Sequence, residues 1–91
     1  APTFPKGSIS AGFSQVRLKT ATVGLVEPPT DRRPYTVLSI AFSAADDPAY
    51  LEQVVLHECI HIAVASTGGK PHDDLFMRMS DLTGLAPEHR D

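Results

Sequence analysis

Leu56-His57-Glu58-Cys59-Ile60-His61-Ile62 lies past the middle of a 91-residue chain and contains the pattern H-E-x-x-H. His57 and His61 are four residues apart, a spacing that stacks two side chains on one face of an α-helix, one turn above the other. Two imidazoles held in this way share one tetrahedral metal ion, and Zn²⁺ takes nitrogen ligands at about 2.0–2.1 Å. Glu58 leans over the same place without being needed as a ligand. Its carboxylate is therefore free to take a proton from a water on the metal. The competing reading is a core helix that happens to carry two histidines and a glutamate. It is disfavoured because a buried carboxylate is costly without a metal or a partner.

The motif needs a helix, and its flanks supply one. Asp47 is a good N-cap, Pro48 suits the first helical position, and Gly68-Gly69 is a good stop. Between them run roughly 19 residues without Gly or Pro, an ordinary helix length. Leu51, Val55, Cys59 and Ile62 form one apolar stripe, and Leu56, Ile60 and Ala63 form another. A helix apolar nearly all round is a central one, covered on several sides. Metal held on it would then contribute to folding.

Working outward, Tyr35 to Phe42 is almost continuously apolar and reads as a strand covered on both faces. Phe13 to Val26 reads as strand too, with an alternation that slips near Thr20-Ala21, as at a bulge or a break into two short strands. Glu27 to Pro34 holds three prolines and is a surface turn. The two strands and this turn make a hairpin. Within the turn, Arg32 and Arg33 are candidates to grip a substrate carboxylate, although a solvated loop is the simpler reading. Residues 1–12 read as an extended arm, either an ordinary terminus or a segment laid across a cleft. Pro71 is expected to open a second helix that Gly84 closes, and residues 85–91 form a polar tail in which His89 is solvated.

A net charge of −3 gives no basic footprint for nucleic acid. The longest apolar run is far short of a membrane span. One cysteine excludes an internal disulfide and, with no signal-peptide pattern, suits a reducing, cytoplasmic setting. The whole is one small α+β domain, 1–91, with a small antiparallel sheet packed on the central helix and a second, C-terminal helix. A domain of this size buries only about 60–65% of its unfolded surface, so a metal, a partner chain or self-assembly would help complete it.

A catalytic zinc keeps three protein ligands and one water. His72 is the best third ligand. The helix runs about 9 Å beyond His61, and the return through the glycine turn spans up to about 16 Å. Its alternative role is to cap the second helix. Asp73 and Asp74 are second choices as ligands, and otherwise orient a ligand imidazole or supply charge at a helix N-terminus. Cys59 points about 200° away from His57 and is rejected as a ligand. Tyr35, Tyr50, Arg78 and His89 are candidates for stabilising a transition state, with Tyr50 about 10 Å from the motif along its helix.

His57-Glu58-Cys59-Ile60-His61, a glycine turn, then His72-Asp73-Asp74-Leu75-Phe76 resembles the SprT-like zinc metallopeptidases, which carry H-E-x-x-H followed by H-x-x-x-F or H-x-x-x-W at the head of a second helix. The resemblance covers residues 35–84. It implies a minimal zincin fold, one Zn²⁺ on His57, His61 and His72, and Glu58 as general base. The chain departs from the family in lacking room for an N-terminal helix and in having Asp73 where Gly is frequent. The expected activity is peptide-bond hydrolysis, as an endopeptidase rather than an exopeptidase, with an extended peptide paired along a strand edge within residues 13–26. The rivals are a non-catalytic, zinc-stabilised module, marked by a fourth protein ligand such as Asp73, and a zinc-dependent nuclease or nucleic-acid-associated protease, against which the acidic charge argues.

Overall fold

The computed structural model describes residues 4–18 and 22–90. Three strands and two helices follow one another as β1 (Ile9–Phe13), β2 (Gly24–Glu27), β3 (Thr36–Ile40), α1 (Pro48–Ser66) and α2 (Asp74–Thr83). Short 3₁₀ turns lie at Phe42–Asp46 and Pro87–His89. The sheet order is β1-β3-β2, so the apolar strand β3 is central.

The sheet is mixed rather than antiparallel. β2 pairs antiparallel with β3, from Gly24 opposite Ile40 to Glu27 opposite Val37, as the hairpin reading requires. β1, however, lies parallel to β3, with Ile9 opposite Thr36 and Phe13 opposite Ile40. Part of the segment expected to be an extended arm is thus an edge strand. Its last four residues are exposed, so the core imposes no alternation on its sequence. The expected strand over 13–26 is broken: residues 15–18 are bends, and Val16 is fully outside. The slip at Thr20-Ala21 lies outside the described residues. Arg33 braces the turn between β2 and β3, donating to the carbonyls of Glu27, Pro28 and Tyr35, and is not free to hold a ligand.

α1 begins as its sequence requires. Asp47 Oδ1 accepts from the N–H groups of Ala49 (3.1 Å) and Tyr50 (3.3 Å), with Pro48 at the first position. It ends in two reversed bonds, Gly68 N–H to Ala65 O and Gly69 N–H to Val64 O, with Gly68 at φ +81°. Both apolar stripes find partners. Leu51, Val55 and Cys59 join Leu38, Ile40 and Ala44 beneath the sheet, while Ile60 and Val64 join Phe76 and Leu85 against α2. The helix carrying the motif is therefore the middle layer of the fold. No helix among the described residues is long and apolar enough to cross a membrane.

The start of α2 differs from expectation. Asp73, not Pro71, governs it: Asp73 Oδ1 accepts from Phe76 N–H at 2.9 Å and Oδ2 from Lys70 N–H at 2.9 Å. Proline favours a first helical position, but an aspartate two residues later satisfies more unpaired N–H groups and wins. Gly84, left-handed at φ +82°, closes the helix as expected.

Candidate metal centre

Three elements converge on one point. α1 supplies His57 and His61 on its cleft-facing side. The glycine turn supplies His72, and α2 supplies Phe76 as a floor. Phe76 is fully buried, and its ring centroid lies 5.2, 4.6 and 4.8 Å from those of His57, His61 and His72. The Nε2 atom of His57 is 3.0 Å from that of His61 and 3.4 Å from that of His72. One ligand atom from each of the three histidines lies within 4.8 Å of the other two. Nitrogens bound tetrahedrally at the usual distance sit about 3.3 Å apart, so His57 already stands about as far from each of the other two imidazoles as a shared metal would hold it.

Two of the three donors are also set to offer a lone pair. Burial, then the charges His57 and His72 would carry, push the His61 pKa down to about 4. His61 is thus neutral at physiological pH, with a lone pair to offer. The Nδ1 atom of His57 lies 2.6 Å from the carbonyl oxygen of His89. A carbonyl only accepts, so Nδ1 carries the proton and Nε2 faces the site as a free donor to metal. The residues present therefore fit a metal ion.

The loop that delivers His72 is tightly built. His72 has φ +55°, the left-handed region that L-residues avoid. A Cβ on Gly69 would lie 2.4 Å from Val64 Cγ1, so only glycine lets the turn pass α1 this closely. Asp73 is no ligand: both its oxygens accept backbone N–H groups, and those bonds hold its carboxyl below the usual range. Among the described residues the ligand group is three histidines, without a fourth protein donor.

Glu58 is 8% exposed, and its Oε1 lies 4.0 Å from His57 Nε2. Burial raises its pKa, opposed by the charge on His72. It packs on β2, where a Cβ at Gly24 would come within 2.9 Å of Glu58 Cγ. An isolated glycine in a strand signals such a close approach, so Gly24 is a site residue the sequence marks but the motif does not name.

The centre opens on two sides. One is a cleft of about 480 Å³ lined by Tyr50, Gln53, His57, Glu58, His61, His72 and His89 among others. The other is a more apolar groove of about 390 Å³ between β2 and the glycine turn. Tyr50 and His89 do share the cleft, with ring centroids 5.7 Å apart. His89 is not simply solvated as expected, since its carbonyl holds His57 and its ring meets Tyr50. Tyr35 and Arg78 line neither opening, and no residue of β1 does, so the described part of the N-terminal segment does not lie across the site.

Compared with protein-family models, curated proteins and solved structures, the chain matches none.

Proposed function

We propose that the chain is a zinc-dependent endopeptidase of the SprT-like kind, with a minimal zincin domain, Zn²⁺ on His57, His61 and His72, and Glu58 as general base. The observation that carries this reading is the buried Glu58 carboxylate, 4.0 Å from the ligand nitrogen of His57 and beside three converging imidazoles. Zinc is the default for an all-imidazole tetrahedral set. When bound, Zn²⁺ supplies Lewis acidity to a carbonyl and to water.

The protein's own groups account for the rest. Burial keeps Glu58 basic enough to accept a proton from water and to return it to a leaving amine. His57 is fixed in one tautomer by His89 O, and Phe76 excludes water from beneath the rings. β2 is an edge strand beside the site, and an extended peptide would pair its main chain there. That moves the expected docking edge from within 13–26 to residues 24–27. The rival structural module would need a closed, four-ligand site, and Asp73, the candidate fourth ligand in the sequence, is committed to backbone.

Cleavage of an unstructured protein such as casein tests the proposal, with wild type and Glu58→Gln assayed at equal zinc content. Cleavage by wild type alone is expected. Equal cleavage by both, or none by zinc-loaded wild type, overturns it.

A further inference from the structure

We propose that the C-terminal segment is a working part of the metal centre, and that Arg90 is the positioning residue that holds the His89 carbonyl on His57. The inference rests on the metal site and is independent of peptide cleavage.

A metal-bound imidazole is aimed by whatever its second nitrogen meets; without that partner both ring rotation and tautomer are free. For His57 the partner is His89 O, 32 residues away in the chain. It belongs to the single 3₁₀ turn Pro87–His89, an element too short to hold itself in place. Two ties fix it. At its start, Ala86 N–H donates to Gln53 Oε1 at 2.9 Å, and Gln53 precedes His57 by one turn on the same face of α1. At its end, the Arg90 guanidinium folds back. Its Nε and Nη2 donate to Leu85 O at 2.9 and 2.7 Å, and Nη1 donates to Asp81 Oδ1 at 2.6 Å.

Leu85 is itself 1% exposed, packed with Ile60, Val64 and Phe76. Arg90 thus closes residues 85–90 into a loop whose base is the core and whose crest carries the His89 carbonyl. The Arg90 side chain is only 14% exposed, whereas Asp81 is 70% exposed. The grip is therefore the fork on the Leu85 carbonyl, and the ion pair adds little. Lysine cannot reproduce a two-nitrogen fork. Linkage makes the coupling reciprocal: the docked segment favours metal, and metal favours the docked segment.

The test is Zn²⁺ affinity of the full chain, measured by competition with a chromophoric chelator for wild type, Arg90→Ala, Arg90→Lys and Asp81→Asn, with Arg78→Ala as a surface-charge control. Loss of a group that orients a ligand weakens metal binding by about 10–100-fold, and Arg90→Ala is expected in that range. Arg90→Lys should fall between it and wild type. Asp81→Asn should lose less than about fivefold, as an exposed pair does, and Arg78→Ala should bind as wild type. A second readout separates positioning from general stability: the ring ¹⁵N shifts of His57 in the metal-free protein. Wild type should show one tautomer with Nδ1 protonated, and Arg90→Ala a mixture. Should Arg90→Ala not fold by circular dichroism, Arg90→Lys carries the same two readouts. Wild-type affinity in the Arg90 variant, or weakened affinity with the His57 tautomer unchanged, overturns the inference. Zinc bound but no peptide cut would sink the proposed peptidase and leave this inference standing; no zinc bound by wild type would sink both.

Discussion

Replacing His72 separates what the fold wants from what the metal wants. His72 is the only residue other than glycine with a positive φ among the described residues. Its side chain is exposed, so removing it forfeits little burial. His72→Ala and His72→Gly both delete the imidazole, and both should lose the metal. They differ in the backbone. The left-handed region costs an L-residue about 1–2 kcal/mol, while alanine gains about 0.4–1 kcal/mol over glycine by restricting the unfolded chain. His72→Gly should therefore be more stable than His72→Ala by about 0.5–1 kcal/mol, the reverse of the usual order in a regular element. In a domain of this size that is about 3–6 °C in Tm. The assay is urea and thermal unfolding of both variants with chelator present. Agreement would mean that a ligand occupies a position where folding alone selects glycine, which is strain retained for a site. If the alanine variant is as stable as the glycine variant or more so, His72 is not held left-handed and the reasoning about the loop fails.

Three further outcomes follow from the same geometry. Gly24→Ala should push Glu58 from its place and destabilise by about 1–3 kcal/mol, as overpacking does; unfolding midpoints check this, and an unchanged midpoint would mean that the strand does not approach Glu58 as described. Phe76→Ala should cost about 3–5 kcal/mol for a fully buried ring and weaken metal binding as well, checked by unfolding with and without chelator. His61 is neutral when folded, with a pKa of about 4 against an ordinary 6.5, so the unfolded chain binds its proton first. The His61 part of metal-free stability should hold above pH 6.5, fall as the pH drops towards 4, and level off below. Because Glu58, raised by burial, acts with the opposite sign, the difference between wild type and His61→Asn isolates the His61 part.

The helix at the centre was legible because every signal agreed. Asp47, Pro48 and Gly68 set its ends, two apolar stripes demanded two partners, and the motif fixed its third face. His72 was reachable by chain length alone. β1 was not legible, because an exposed edge strand has no face to pattern. The head of α2 is ambiguous in sequence because Pro71 and Asp73 are both good start signals, and only the hydrogen bonds to Asp73 decide between them. The role of His89 left no trace in sequence, since it is the backbone carbonyl that acts and any residue carries one. Gly24 and Gly69 did leave traces, one as an isolated glycine and one in the Gly68-Gly69 stop, but what they approach closely emerges only in three dimensions.

Zinc content by elemental analysis of wild type, His72→Ala and Glu58→Gln tests the central claim most directly. The account predicts about one zinc per chain in wild type and in Glu58→Gln, and none in His72→Ala. Metal retained without His72, or lost with Glu58→Gln, would contradict the assignment of three histidine ligands and a free carboxylate.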